Sequence, residues 1–155
     1  MTPSASSLTT DEIRTDLSTR DARLKWVVVV DPALPAGLVA NATACLAAAV
    51  GKALPNCWGP TGRTPRAPYT RAALGGLLGA VRPGGADRRA ARQAAAKEGL
   101  LVVDMPEAAQ TSRVYDAYLE SLAATPGADL RYYAVSVVGP RNKVDKLVGR
   151  LPLLR

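Results

Sequence analysis

The run of four valines from Val27 to Val30 constrains the fold of this chain more than any other feature. Lys25 and Trp26 precede it, and the whole run lacks the alternation of apolar and polar residues that is typical of a half-exposed strand. Because valine is β-branched, the run predicts a strand. The strand is expected to lie at the centre of a sheet with both of its faces buried under helices.

A second apolar run, Leu100 to Val103, is also short and rich in valine, and it ends on an acid, Asp104. Ligands of open α/β sheets gather outside the carboxyl ends of strands, so this acid is the best candidate for a functional site. An aspartate after a strand is about equally often just the N-cap of the next helix, which is a structural role. The polar residues that follow the acid and extend the candidate site are Glu107, Gln110 and Thr111.

Alternating strand and helix signals predict one α/β domain over residues 9–155, after a flexible tail over residues 1–8. The sheet is expected to be mostly parallel, with helices packed on it in two or three layers. The other predicted elements are strands over Leu77–Val81 and Leu130–Val138, and helices over Leu38–Val50, Ala86–Glu98 and Asn142–Val148.

One more helix is predicted after the Leu100 strand, and its apolar residues form a stripe. It begins at Ala109 or Thr111 and ends at Ala124, because Pro126 and Gly127 follow. The spacing of three and four residues indicates that the stripe packs against the sheet. Its members are Val114, Tyr115, Tyr118 and Leu122.

The absence of histidine removes several chemistries at once. No histidine triad, histidine metal ligand or histidine general base can form, and neither Cys45 nor Cys57 makes a metal site. Acid–base work falls to carboxylates, lysine, tyrosine or bound water, so we expect no metal and no organic cofactor. The chain shows no secretory signal and no apolar run near the ~20 residues of a membrane span, which predicts a cytoplasmic protein with reduced cysteines.

A formal charge of +7 favours an anionic partner, either RNA or a small molecule. The positive charge is concentrated in the middle of the chain, where Asp87 is the only acid among seven arginines. The alternative interpretation is a solvated helix face with a few loop arginines. These arginines are Arg63, Arg66, Arg71, Arg82, Arg88, Arg89 and Arg92.

Two further residues have both a functional and a structural interpretation. Trp58 lies in the Pro- and Gly-rich loop Pro55–Pro68, where it serves either as a lid or stacking platform for a ligand or as a plug at the rim of the core. Lys25 is either a catalytic amine or a solvated charge at the start of a strand.

Three segments of the chain resemble the family named domain of unknown function 2000. They are KWVVVVDPALPAGLVANATACL, GLLVVDMPEAAQTSRVYDAYLESL and YYAVSVVGPRNKVDKLVGRLPLLR. The last segment, a strand followed by Gly139 and Pro140, a short helix, Gly149 and LPLL, is also similar to the C-terminal pattern of type 2 peptidyl-tRNA hydrolases. That resemblance implies the hydrolase fold, a mixed four-stranded sheet flanked by helices, and a homodimer.

The resemblance to the hydrolases also implies roles for single residues. Lys25 takes the place of the lysine that opens their first strand, Asp104 that of the aspartate after their second apolar run, and Thr111 that of the threonine that follows. The lysine in the turn before their first helix, which is suited to bind phosphate or stabilise an oxyanion, is missing. The residues at the departing positions are Ala36, Gly37 and Leu38 in that turn, Asn41 for their glutamine and Ala44 for their histidine.

The leading functional hypothesis is a cofactor-independent enzyme that acts on a small molecule by acid–base chemistry. The expected reaction is a hydrolysis, or a condensation or cyclisation in specialised metabolism. Asp104 and Lys25 are its catalytic candidates, and the hypothesis requires Asp104 and Asn41 to face a common hollow. Asn41, Gln110, Thr111 and Glu107 are the polar substrate-binding candidates, and Trp58 and Tyr115 wall an apolar pocket.

Two alternatives stay open. One is a peptidyl-tRNA or aminoacyl-ester hydrolase, or another RNA-binding protein, whose arginines contact phosphates of tRNA or another RNA. The other is a non-catalytic homodimer that binds a metabolite or a protein.

Overall fold

The computed structural model describes residues 16–55, 79–83 and 87–155. The predicted tail of residues 1–8 and Trp58 lie outside these ranges. Within the described ranges, strands and helices follow one another in an α/β order. The elements are β1 (Leu24–Val30), α1 (Ala36–Ala53), β2 (Gly79–Pro83), α2 (Asp87–Lys97), β3 (Leu101–Pro106), α3 (Glu107–Thr111), α4 (Tyr115–Ala124), β4 (Tyr132–Pro140) and α5 (Arg141–Val148).

The described strands form one sheet in the order β2-β1-β4-β3. β1, β4 and β3 make a three-stranded antiparallel sheet, which β2 extends by pairing in parallel with β1. The mixed α/β class is confirmed, but the prediction of mostly parallel pairing is wrong because β4 inserts between β1 and β3 in the opposite direction. A strand buried on both faces has the same apolar composition whichever way it runs, so composition alone misses this reversal.

Helices cover both faces of the sheet: α1 packs on one, the α1 face, and α2 with α5 on the other, the α2–α5 face. Every residue of β1 is buried, as the valine run predicts, and Val27, Val29 and Val30 have no exposed surface. Burial of each such side chain contributes about 1.5–3 kcal/mol. On the α1 face, Trp26 donates a hydrogen bond of 2.7 Å from Nε1 to Oγ of Ser136, which satisfies both buried polar groups.

The 18 residues of α1 face the sheet with Ala42, Leu46 and Val50, which recur at helical spacing. Among the helices of the described ranges, α1 alone is long and apolar enough to suit a membrane span, with a mean hydropathy of 1.3. Its buried residues pack in one cluster with Trp26 and Val28 of β1, so the fold itself uses this apolar stripe.

The chain around β3 departs from the sequence prediction. β3 continues past Asp104 to Pro106 instead of ending before the acid. The single helix predicted to end at Ala124 is two helices, because the backbone is extended at Ser112 (φ −80°, ψ 134°) and Val114 (φ −121°, ψ 130°). Serine and valine both have lower helix propensity than the alanines and leucines around them, which accounts for the break.

The ends of α2 and of the chain match the predictions in part. Gly99, with φ +70°, follows α2 in the left-handed conformation that favours glycine. Of the apolar residues that follow α5, Leu151 contacts the core of the α2–α5 face. Leu153 and Leu154 are exposed.

Candidate functional site

Asp104 lies inside β3, opposite Val135 of β4, and its side chain projects from the α2–α5 face. The prediction that it closes the strand is wrong, because Met105 continues the pairing with Ala134. The N-cap role is also wrong: Pro106 holds the position before α3, and no side chain caps that helix. The carboxylate of Asp104 is about one quarter exposed, at 26 %.

Arg92 of α2 forms an ion pair with Asp104, with 2.5 Å between Nε and Oδ2. Its guanidinium carbon lies 5.7 Å from the centre of the Tyr132 ring, within the range of a cation–π contact. The hydrogen bond that Arg92 donates to Asp104 raises the pKa of Arg92, partial burial opposes this rise, and the charge of Asp104 adds to it. Arg92 is therefore a permanent cation that is held in place on two sides.

The guanidinium of Arg92 is only partly used. Asp104 accepts from Nε alone, and within the described parts of the chain no acceptor bonds to either terminal nitrogen, Nη1 or Nη2. The side chain is 39 % exposed. The two terminal nitrogens are the donors that bind a carboxylate or phosphate in the bidentate manner, so this end of Arg92 remains available to an anion.

The charge of the same carboxylate acts on Tyr118 of α4. Partial burial raises the pKa of the Tyr118 phenol, and the negative charge of Asp104 raises it further. The ring of Tyr115 stands edge-on to the Tyr118 ring, with 5.6 Å between the ring centres and 64° between the planes. The pKa of the Tyr118 phenol therefore responds to the same carboxylate that binds Arg92.

A second ion pair flanks the first one along α2. Arg88 lies one helical turn before Arg92 and approaches Asp31, with 3.0 Å between Nη2 and Oδ2. Its Nε also donates to the backbone oxygen of Tyr132 at 2.7 Å. Asp31 directly follows β1, which runs in the same direction as β3, so both acids lie toward the carboxyl ends of their strands. The resulting carboxyl-edge cluster consists of Asp31, Arg88, Arg92, Asp104, Tyr118 and Tyr132.

Asn41 and Gln110 meet, but not at this cluster. Nδ2 of Asn41, on α1, donates to Oε1 of Gln110, on α3, at 2.5 Å. The sheet separates this pair from Asp104, so the expected common hollow of Asp104 and Asn41 does not exist. The reason is the alternation of β3: Val103 and Met105 point to the α1 face, and Asp104 points to the other face.

The other two polar candidates on α3 make local contacts. The hydroxyl of Thr111 donates to the backbone oxygen of Glu107 at 3.2 Å. The carboxylate of Glu107 lies 3.8 Å from Nε of Arg131, whose side chain is largely exposed. In the part of the chain that the structure describes, neither Thr111 nor Glu107 contacts Asp104.

Lys25 is neither solvated nor close to Asp104. It forms an ion pair with Asp145 of α5, and its side chain is only 9 % exposed. Val29 aligns with Val135 and so with Asp104, which places Lys25 four residues, or about 13 Å, toward the other end of the sheet. The two predicted catalytic residues are not brought together.

Two clefts lie elsewhere on the described surface, and neither includes Asp104. One, of about 620 Å³, lies at the amino end of β1 between Arg23, Asn142 and Asp145. The other, of about 190 Å³, separates α2 from α5 and is lined mainly by apolar residues with Lys146 and Arg150. Within residues 16–55, 79–83 and 87–155, no three Cys, Asp or Glu side chains lie close enough together to hold a metal ion.

Sequence reasoning singled out Asp104 but missed the residues that surround it. From the sequence, Arg88 and Arg92 are recognised only as members of the basic segment. Their spacing of four residues places them on one face of a helix, and this spacing is the signal that could have grouped them. Asp31 directly follows the valine run, which marks the carboxyl end of β1. Tyr118 was assigned to an apolar stripe, and no local pattern connects it with Asp104.

Comparison with known proteins identifies a family. The model of a family described as "Protein of unknown function (DUF2000)" matches residues 24–155. A solved structure of a protein of unknown function from Agrobacterium tumefaciens strain C58 shares 15 % sequence identity, with a TM-score of 0.76 over 86 % of this chain and 98 % of that chain. At this identity the likeness shows the fold alone, and no curated protein matches the chain. Since the family match runs from the start of β1 to the last residue, the chain belongs to the DUF2000 family.

Proposed function

We propose that this protein binds a small anionic molecule at the carboxyl-edge cluster, through a carboxylate or phosphate group held by Arg92. The single observation that carries this proposal is the half-used guanidinium: Nε is bound to Asp104, and Nη1 and Nη2 have no acceptor among the described residues. A planar anion fits the two terminal nitrogens without displacing Asp104. The basic character of the whole chain, with a formal charge of +7, favours the approach of an anion.

Asp104 has a positioning role in this proposal. Its carboxylate fixes the orientation of the guanidinium from one side, and the ring of Tyr132 supports it from another. An arginine that is held in this way loses less conformational freedom when it binds an anion. The role assigned to Asp104 therefore changes from a catalytic acid to a partner of the binding residue.

The test compares anion binding by variants of Arg92. Inorganic phosphate and succinate serve as probes, and binding is followed by NMR titration of the backbone amide signals, which the wild type and all variants share. Arg92→Gln raises the dissociation constant about tenfold or more, because a charge-assisted hydrogen bond contributes about 1.5–3 kcal/mol. Arg92→Lys keeps the charge but lacks the planar fork, so affinity falls by a smaller factor.

The matched control is Arg155→Gln, which removes the same charge from an exposed position at the end of the chain. It leaves both dissociation constants within about twofold, because exposed charges act weakly at a distance in salt. Equal losses in the Arg92 and Arg155 variants contradict the proposal, since they indicate a response to net charge alone.

A second candidate function, cofactor-independent acid–base catalysis on the bound molecule, is favoured by Tyr118. Burial and the charge of Asp104 raise the pKa of the Tyr118 phenol, so in this candidate function the phenol would donate a proton and the Asp104 carboxylate would accept one. The test incubates the protein with a pool of carboxylic and phosphorylated metabolites and follows their consumption by mass spectrometry. Turnover that survives in both Asp104→Asn and Tyr118→Phe excludes this function.

The resemblance to type 2 peptidyl-tRNA hydrolases supports a third candidate, RNA binding on a hydrolase-like fold, only weakly. Two arginines of the basic segment, Arg88 and Arg92, already form ion pairs with Asp31 and Asp104. Binding of tRNA that falls steeply between 50 and 200 mM salt, by about 10³-fold or more, supports this candidate. Absence of tRNA binding at low salt removes it.

A further inference from the structure

The cleft of about 190 Å³ between α2 and the end of α5 is lined by none of the residues of the carboxyl-edge cluster. Its lining continues the core of the α2–α5 face to the surface. Ala91 and Val148 belong to that core, and Leu147 and Leu151 pack against it. The cleft is therefore an apolar hollow in an otherwise packed layer.

The cleft is open because α2 presents small side chains there. Ala91 and Ala94 face the two leucines at the end of α5, and a methyl group fills much less space than a larger apolar side chain would. An apolar cavity of about 150 Å³ holds one benzene molecule. The cleft between α2 and α5 is of similar size, so it has room for one ring or one branched alkyl group.

The charged residues that line the cleft are two cations, Lys146 and Arg150, and no acid lines it. Both residues are exposed, and in the part of the chain that the structure describes no carboxylate forms an ion pair with either. Lys143, three residues earlier on α5, differs because Glu98 pairs with it. Lys146 and Arg150 thus give an apolar cleft a positive rim.

We infer that this cleft is a second binding site, which takes a small organic anion. The apolar group of the ligand lies between α2 and α5, and its carboxylate or phosphate contacts Lys146 and Arg150. Charge complementarity selects an anion, and the volume selects a small one, because drug-sized ligands occupy pockets of about 300–1,000 Å³. The ligand class is an aromatic or branched-chain carboxylate or phosphate monoester. The site does not depend on the proposed anion binding at Arg92.

Other occupants fit the cleft less well. A two-fold contact between copies of the chain across the cleft would bring Lys146 and Arg150 of both copies together, and the lining holds no acid to pair with them. The end of the chain does not fill the cleft either, since Leu153 and Leu154 are exposed and do not line it.

The test titrates three probes by NMR: phenylacetate, acetate and the uncharged phenylacetamide. Binding is read at the backbone amide signals of residues 147–151, which lie at the cleft. Wild-type protein binds phenylacetate about tenfold or more tightly than acetate, because the ring leaves water. Phenylacetamide binds about threefold more weakly than phenylacetate, because pairs with exposed cations contribute little.

The first variant fills the cleft. Ala94 is half-buried at the cleft, and Ala94→Leu reduces the affinity for phenylacetate about tenfold or more by occupying the space of the ring. Leucine is a good helix former, so α2 is retained. The matched control is Ala96→Leu, at an exposed position of α2 outside the lining, which leaves the affinity for phenylacetate unchanged.

The second variant removes the charges. Lys146→Gln combined with Arg150→Gln lowers the affinity for phenylacetate to that for phenylacetamide and leaves phenylacetamide unchanged. Its control, Lys52→Gln combined with Arg155→Gln, removes an equal charge from exposed positions outside the lining and changes neither affinity.

Three results overturn the inference. They are equal affinity of the wild type for phenylacetate and acetate at residues 147–151, phenylacetate binding that survives Ala94→Leu, and a wild-type dimer that Ala94→Leu converts to a monomer in light scattering. The last result shows that a second copy occupies the cleft. Arg92→Gln leaves phenylacetate binding at residues 147–151 unchanged, so failure of the proposed function is distinguishable from failure of this site.

Discussion

The partner of each charged side chain decides what that residue can do in this protein. Asp104 is bound to Arg92, Asp31 to Arg88 and Lys25 to Asp145. The ion pair between Asp104 and Arg92 holds the guanidinium in place. Among the described contacts of these three pairs, Arg92 uses only Nε of its guanidinium.

The first prediction at the residue scale concerns Tyr118. Asp104→Asn lowers the pKa of the Tyr118 phenol toward its ordinary value of 10.0, because one cause of the rise is removed. Part of the rise remains, since burial of the ring is the larger cause. The measurement is a ¹³C NMR titration of the tyrosine rings, with Tyr118→Phe to assign the signal.

The control for Tyr118 is Asp116→Asn, which removes an equal charge from an exposed position on the same helix. Asp116 is not a cause of the shift, so the Tyr118 pKa stays unchanged. A raised pKa in the folded state means that the protonated phenol stabilises the fold. This contribution to stability is complete below pH 10 and is lost as the pH rises through the pKa of Tyr118 in the folded protein. Asp104→Asn reduces the stability that is lost at alkaline pH.

At the scale of elements, an ion pair ties the sheet to α5. Lys25 of β1 is nearly buried, and Asp145 of α5, 41 % exposed, is its partner. Asp145→Ala leaves a buried ammonium group without its carboxylate and lowers the free energy of unfolding by about 2 kcal/mol in urea denaturation. Lys25→Met removes the charge together with its desolvation cost and changes stability by about 1 kcal/mol or less.

Glu98→Ala provides the comparison for this prediction, because Glu98 and Lys143 form an ion pair of 3.6 Å that is half exposed. Its loss changes stability by about 0.5 kcal/mol or less. Lys25→Met also leaves phosphate binding unchanged, since Lys25 lies far from Arg92 along the sheet. Loss of phosphate binding in folded Lys25→Met protein contradicts the structural role and restores Lys25 as a functional residue.

At the scale of the whole molecule, the sheet divides the predicted site into two separate groups. Asp104 lies with α2 and α5 on one face, and Asn41 contacts Gln110 on the other. Residues more than about 7–10 Å apart with no shared partner have additive effects on stability. The double-mutant cycle of Asp104→Asn and Asn41→Ala therefore gives a coupling free energy below about 0.5 kcal/mol in urea denaturation.

A second cycle, Asn41→Ala with Gln110→Ala, is the positive control. These two side chains share a hydrogen bond, so their coupling free energy is about 0.5–1 kcal/mol. Coupling between Asp104 and Asn41 that equals or exceeds this control would mean that the two residues share one site after all.

Local physics makes much of the fold readable from the residues. β-branching in Val27–Val30 predicts β1, helical spacing predicts α1 and α2, and Gly99 marks the end of α2. The break between α3 and α4 is harder to predict, because the residues on both sides favour a helix and only the weak propensities of Ser112 and Val114 oppose it.

The sequence by itself determined that this chain builds a helix-covered sheet and that Asp104 lies beside an apolar run that forms one of its strands. Only the tertiary structure decided the direction of β4, the face to which Asp104 points and the residues that surround it. The physical reason is that strand side chains alternate with a period of two, and Asp104 has apolar residues on both sides of it in β3. The register of β3 and the helices on each face decide which of its alternating side chains face α1 and which face Arg92. No local sequence pattern contains that information.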